Sequence, residues 1–213
     1  MTDEGRASFT HGRDAGLCYH ESQRTGASEA GRGAPKIMDI KKVREAADSY
    51  NKRAQAEGWQ SRSDPDLAFG RQALSDLLMV WDEKASSEHA VGGVPKRSAF
   101  DARSLKTVLP YLTIVEKTDA ARWRYRFFGT EMVRLLGEYT GKYLDEVLPK
   151  EHVTRWSFCY DLTLATPAPM RLMVGYQLAK LEYYDGEVLQ LPAMDDNGAV
   201  TLVMGITFVR PKI

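Results

Sequence analysis

Between residues 38 and 92 the apolar positions recur every three or four residues. Ile40, Val43, Ala47, Tyr50 and Ala54 mark one helical face, with Asp39 placed to cap its start and Gly58 to stop it. Leu67, Leu74, Leu77, Leu78 and Trp81 mark a second stripe, for which Asp64 is the expected N-cap and Pro65 the first helical residue. Gly92, Gly93 and Pro95 then break the pattern.

From residue 93 onward the period shortens. "FDARSLKTVLP" reads as a short helix capped by Asp101 and stopped by Pro110, and "YLTIVEK" as a β-branched strand. "WRYRFF" alternates, which puts Trp123, Tyr125 and Phe127 on one face and Arg124 and Arg126 on the other. "GTEMVRLLG" and "KYLDEVLP" are short helical pieces, the first with Thr130 as its cap. "EHVTRWSFCYDLTLATP" is a longer helix with Val153, Trp156, Tyr160 and Leu164 on one stripe. Three strands follow, "RLMVGYQLA", "EVLQLPAM" and "VTLVMGITFV", the last two joined at Asp195-Asp196-Asn197-Gly198, where Asn-Gly tolerates positive φ. Strands enclosing a cluster of helices predict an α+β fold built on one antiparallel sheet.

The first 37 residues differ from all this. Gly, Ser, Thr and charges dominate, and such a segment cannot bury enough to offset its ordering entropy. It is expected to be a disordered tail, with Met38 a second place where the chain could start. The expected organisation is therefore a tail at 1–37, a helical extension at 38–92 and one domain at 93–213.

Charge and composition narrow the function. Lys and Arg number 29, Asp and Glu 29, and the formal net charge is zero, so there is no concentrated basic face for nucleic acid or an anionic membrane. The two cysteines, Cys18 and Cys159, form no CxxC pair, which fits a reducing cytoplasm and argues against a disulfide scaffold or zinc ribbon. No apolar run approaches the roughly 20 residues of a membrane span, and no secretory leader is visible. GxxxxGK[ST], GxGxxG, HExxH and GxSxG are all missing, and the four histidines, His11, His20, His89 and His152, are scattered. No catalytic residue is nominated, and the chain is expected not to be an enzyme.

The motifs "RSAFD" (97–101), "LPYL" (109–112), "WRYRFFGT" (123–130), "GEYTGKYLDEVL" (137–148), "EVLQLP" (187–192) and "DDNG" (195–198) occur in that order over about residues 95–211. Together they resemble a bacterial family of stand-alone PAS domains, departing from it at Ala193, where the family often has Leu. The resemblance implies a PAS fold: a five-stranded antiparallel sheet with helices on one face, preceded here by the helical extension. It also implies a sensory or protein-interaction module for signal transduction, acting in trans because no output domain is recognised. Haem- or flavin-binding sensors and a small enzyme on a similar sheet are the alternatives, and no cofactor is assigned.

In such a fold the space between sheet and helices is either filled or open to a ligand. Tyr125, Phe127, Tyr139, Trp156, Tyr160, Met173, Leu189 and Met204 are the candidate lining of a pocket there; the competing reading is that they simply pack. His152, near the start of the long helix, is the candidate metal or haem ligand by analogy with haem-binding PAS domains, set against an exposed or capping histidine. Cys159 lacks the "GRNCRFLQ" setting of flavin–thiol photosensors and reads as a small buried hydrophobe. Arg124 and Arg126 are expected to cover the sheet with their stems, and Glu187, in phase with Leu189 and Leu191, to have a structural partner.

In the last strand Val200, Leu202, Met204, Ile206 and Phe208 are assigned to the pocket side. Val203 and Val209 are assigned to an outer face that needs cover. The stripe of the second helix needs a partner as well, and the two surfaces meet either within one chain or across a two-fold axis. A homodimer through the N-terminal helices and the outer face is the expected arrangement, with an unidentified signalling protein as the further partner.

Overall fold

A computed structural model describes residues 39–88, 90–175 and 184–211. The expected tail, Cys18, His11, His20 and His89 lie outside the described residues. The elements run α1 (Ile40–Glu57), β1 (Ser61–Asp64), α2 (Gln72–Ala85), β2 (Leu112–Lys117), β3 (Trp123–Phe128), α3 (Thr130–Leu136), α4 (Leu144–Val147), α5 (Lys150–Ala165), β4 (Met170–Gly175), β5 (Tyr184–Met194) and β6 (Val200–Pro211). "FDARSLKTVLP" forms turns and one short 3-10 helix instead of an α-helix, with Asp101 accepting from the Ser104 N–H. Gly129, not Thr130, occupies the cap position of α3.

All strand pairs are antiparallel, and the order across the sheet is β1-β4-β5-β6-β2-β3. The sheet therefore has six strands where five were expected. The extra strand is β1, "SRSD", a polar run with no apolar alternation to announce it. It pairs with β4, Ser63 opposite Leu172. Its outer edge is closed by a side chain: Asn51 of α1 donates to the Ser63 carbonyl at 2.9 Å and accepts from the Ser63 N–H at 2.7 Å, as a neighbouring strand would.

β1 also displaces the expected start of α2. Asp64 does not cap a helix. Its carboxylate accepts from the Asp66 and Ala68 N–H groups and pairs with Arg171, closing a turn in which Leu67 has φ 50°. The helix begins only at Gln72. Arg171 also meets Glu187, which in turn accepts from the Gly70 N–H at 2.8 Å. Glu187 thus has its structural partner, and one guanidinium ties the segment before α2 to β4 and β5.

Each face of the sheet has its own cover. Leu74, Leu77, Leu78 and Trp81 of α2 pack with Leu189, Leu191, Ala193, Leu202, Met204 and Ile206, and Trp81 Nε1 donates to the Pro192 carbonyl at 2.9 Å. α3, α4 and α5 pack on the other face, with Val115, Trp123, Tyr125 and Val203. The sides assigned to β6 are therefore exchanged: Leu202, Met204 and Ile206 lie under α2, and Val203 lies under α3–α5. Strand alternation divides residues into two sets but does not say which helices each set meets. The outer face is covered by α2 of the same chain, and Val43, Ala46, Ala47, Tyr50 and Ala54 of α1 are buried in that chain too. Both surfaces offered for the homodimer are thus occupied internally.

β3 carries a further correction. Val115 pairs with Tyr125 and Ile114 with Phe127, so Arg126 is an extra residue in a β-bulge. The bulge reverses parity. Trp123 and Tyr125 face α3–α5, whereas Phe127 turns to the opposite face and packs with the α2 cluster. Arg124 and Arg126 both reach Glu116, at 2.7 and 3.1 Å. The outward arginines are therefore held by a shared carboxylate and not only by their stems.

Candidate ligand site beneath helix α5

A cavity of about 50 Å³ lies between α5 and the sheet. Tyr125, Phe128, Met132, Leu136, Leu148, Trp156 and Tyr160 form much of its wall, with Thr113, Val188, Gln190, Gly205 and Thr207 from the strands and His152 and Arg155 from α5. The volume is on the scale of a few water molecules. Tyr139 stands behind the wall, against the rings of Tyr125 and Phe128 at 5.8 and 5.1 Å. Of the sequence candidates, Tyr125, Trp156 and Tyr160 line the cavity and Tyr139 supports it. Phe127, Leu189 and Met204 belong to the α2 face. Met173 borders shallow clefts near the β1–β4 edge of the sheet, away from the cavity.

His152 is buried, 5% exposed, so neither an exposed nor a capping role describes it. Its Nδ1 lies 3.1 Å from Arg155 Nη2. A guanidinium only donates, so Nδ1 accepts and the hydrogen of the neutral ring sits on Nε2. Burial holds the imidazole below its ordinary pKa; the Arg155 cation pushes the same way and Glu151 partly opposes it. Arg155 is itself only 3% exposed. Its Nε is buried without a hydrogen-bond partner, and its guanidinium sits 5.4 Å from the Trp156 ring centre.

Gln190, 1% exposed, forms the floor. Cys159 Sγ and Thr163 Oγ1 lie 3.0 and 3.1 Å from its Oε1; the Thr163 hydroxyl also points at the Cys159 carbonyl at 2.9 Å, so the Cys159 thiol is the donor given over to the Gln190 oxygen. Cys159 is fully buried, and burial pushes its thiol pKa up, in keeping with the packing role expected of it.

Arg155 and Gln190 were not among the sequence candidates. A signal for Arg155 was present. Positions 152, 155, 159 and 163 of α5 are His, Arg, Cys and Thr at helical spacing, a polar stripe running beside the aromatic one, and all four are buried.

The family model of the PAS domain (PAS_5) matches residues 70–208. This chain belongs to the PAS domain family. The match takes in α2, so the helix that covers the outer face is part of the PAS unit, while α1 and β1 precede it. No curated protein matches the chain. Among solved structures, that of an RNA-binding Light-Oxygen-Voltage receptor is similar with a TM-score of 0.38 and 11% sequence identity, over 79% of this chain and 57% of that one.

Haem and flavin do not fit this cavity. Pockets for ligands of drug size run to roughly 300–1,000 Å³, several times the space beneath α5. The one histidine in the wall is already engaged at Nδ1 by a cation, which disfavours a further positive centre beside it. Among the described residues no group of three or more His, Cys, Asp or Glu could hold a metal ion. No described helix is long and apolar enough to cross a membrane.

Proposed function

We propose that this PAS domain is a non-catalytic sensory module whose input is a small molecule held beneath α5 and whose output passes in trans to another signalling protein. One observation carries the reading: the α3–α5 face keeps a cavity of about 50 Å³ whose wall includes a buried guanidinium, that of Arg155, with its Nε left without a hydrogen-bond partner. A domain that only needed to fold would fill such a space with apolar atoms, since buried unsatisfied groups cost stability. An enzyme on such a sheet would call for an acid/base pair in the pocket, such as His–Asp or Glu–Glu; His152 is paired there with Arg155 instead. α5 supplies one wall of the cavity and also packs through Phe158 beside Tyr50 and Trp59 of the α1 region, so a shift of α5 would be felt outside the PAS unit.

The test is a methyl NMR titration of the full chain with two- to five-atom neutral and anionic fragments, beside a Val188→Phe variant that plugs the cavity. Saturable shifts at Met132, Leu136, Leu148 and Val188, lost in the variant, support the reading. No saturable shift at those methyls with any fragment contradicts it.

A further inference from the structure

We propose that the molecule taken up beneath α5 is a small carboxylate, with Arg155 as its counter-ion and Gln190 as a second donor; this rests on the cavity being a ligand site. The side chains that border the cavity have surplus donors. Arg155 Nε has no acceptor, and Nη2 is turned to a neutral imidazole nitrogen. The contacts of Gln190 with Cys159 and Thr163 are both made at its oxygen, and its NH2 is taken as the second donor. An unused guanidinium donor suits a ligand that accepts, and an ionised carboxylate is such a ligand.

Charge points the same way. Arg155 is 3% exposed, and a guanidinium so far from water is ordinarily paired with an anion. Elsewhere Arg53, Arg122, Arg124, Arg126, Arg134 and Arg171 are each paired with a carboxylate. No carboxylate lines this cavity. The Trp156 ring offers the cation a π face but no counter-charge.

Shape narrows the class. A planar guanidinium matches a planar oxyanion through paired N–H···O bonds. The remaining wall, with Met132, Leu136, Leu148 and Trp156, is apolar, and the volume leaves room for only a short chain. Water alone would fill the space without supplying the missing charge.

The test compares propionate with its neutral isostere propionamide, and with chloride, on the full chain by calorimetry and by the 15N resonance of Arg155 Nε. Propionate is expected to bind at least tenfold more tightly than propionamide or chloride and to shift the Nε signal. Arg155→Met is expected to erase that preference, and Arg155→Lys, which keeps the charge but not the fork, to weaken it severalfold. Because relief of an unpaired buried cation stabilises the empty protein, Arg155→Met is also expected to melt at or above the wild-type temperature in carboxylate-free buffer. Equal affinity for propionate and propionamide overturns the carboxylate assignment while leaving a ligand cavity in place. Chloride binding as tightly as propionate does the same. Absence of binding by any of the three at the cavity overturns both readings. A marked fall in melting temperature for Arg155→Met makes Arg155 a structural residue and also overturns the assignment.

Discussion

Leu77 and Arg155 are buried to nearly the same degree, 2% and 3% exposed, on opposite sides of one sheet. Around Leu77 the neighbours are aliphatic and aromatic, and the Trp81 N–H finds the Pro192 carbonyl. Around Arg155 stand His152, Gln190, Thr113 and Thr207, a cavity, and a nitrogen without an acceptor. The α2 side is organised for stability and the α5 side gives some of it up. Where a fold retains such a local cost, function is the first place to look for the return.

The largest expected effect comes from uncovering the α2 side. Deleting residues 38–92 strips Leu67, Leu74, Leu77, Leu78 and Trp81 from the sheet. At about 2 kcal/mol each this amounts to about 10 kcal/mol, comparable with the whole stability of a typical domain. The truncated chain should aggregate, as light scattering will register; a soluble, folded product would mean that the α5 side alone sustains the domain.

A smaller loss is expected from Arg171→Met, which leaves Asp64 and Glu187 facing each other without their cation. Arg171 is 12% exposed, and the cost should be about 2–3 kcal/mol in urea denaturation. The same variant should change the acid limb. Burial alone would raise the pKa of Asp64, but the Ala68 and Asp66 N–H groups and Arg171 together hold it below the ordinary value. Its contribution is therefore present above about pH 4 and lost as pH falls through the depressed folded value. Without Arg171 part of that loss should disappear.

The smallest effect belongs to the α5 side. His152 has a folded pKa below its unfolded one, because burial and Arg155 both disfavour the imidazolium. The unfolded chain then binds more protons over the window just below about pH 6.5, so stability should rise with pH across it. Arg155 and Glu151 on α5 and the Tyr125 and Tyr160 hydroxyls in the cavity wall are the other titratable groups nearby. His152→Gln should flatten the slope in that window. An unchanged slope would place the titrating group elsewhere.

The α2 side was largely legible in the sequence, because Leu74, Leu77, Leu78 and Trp81 repeat at helical spacing and Leu189, Leu191, Met204 and Ile206 alternate as strands do. What could not be read was which helices each set meets, so Leu189 and Met204 were placed in the wrong layer. The bulge at Arg126 was also hidden, since an inserted residue leaves no mark in an alternating string, and it carried Phe127 across the sheet. β1 escaped because "SRSD" owes its strand to Asn51 and β4 and not to its own propensity. The site was read through its rings, and Tyr125, Trp156, Tyr160 and the supporting Tyr139 emerged that way. Arg155 was not, because a charged residue in a helix suggests solvent until its stripe-mates at 152, 159 and 163 are considered together.

The contrast between the two sides can be measured with two tryptophans. Trp81 is 2% exposed, within the α2 layer; Trp156 is partly buried, stacked on Tyr160 at 5.8 Å beside the cavity. Urea denaturation of Trp81→Ala should show a loss of about 3–5 kcal/mol, as for a close-packed core ring. Trp156→Ala, whose ring is only partly buried at the cavity, should lose about 2 kcal/mol less. Equal losses, or a larger one at Trp156, would mean that both faces of the sheet are packed alike and would contradict this account of the α5 side.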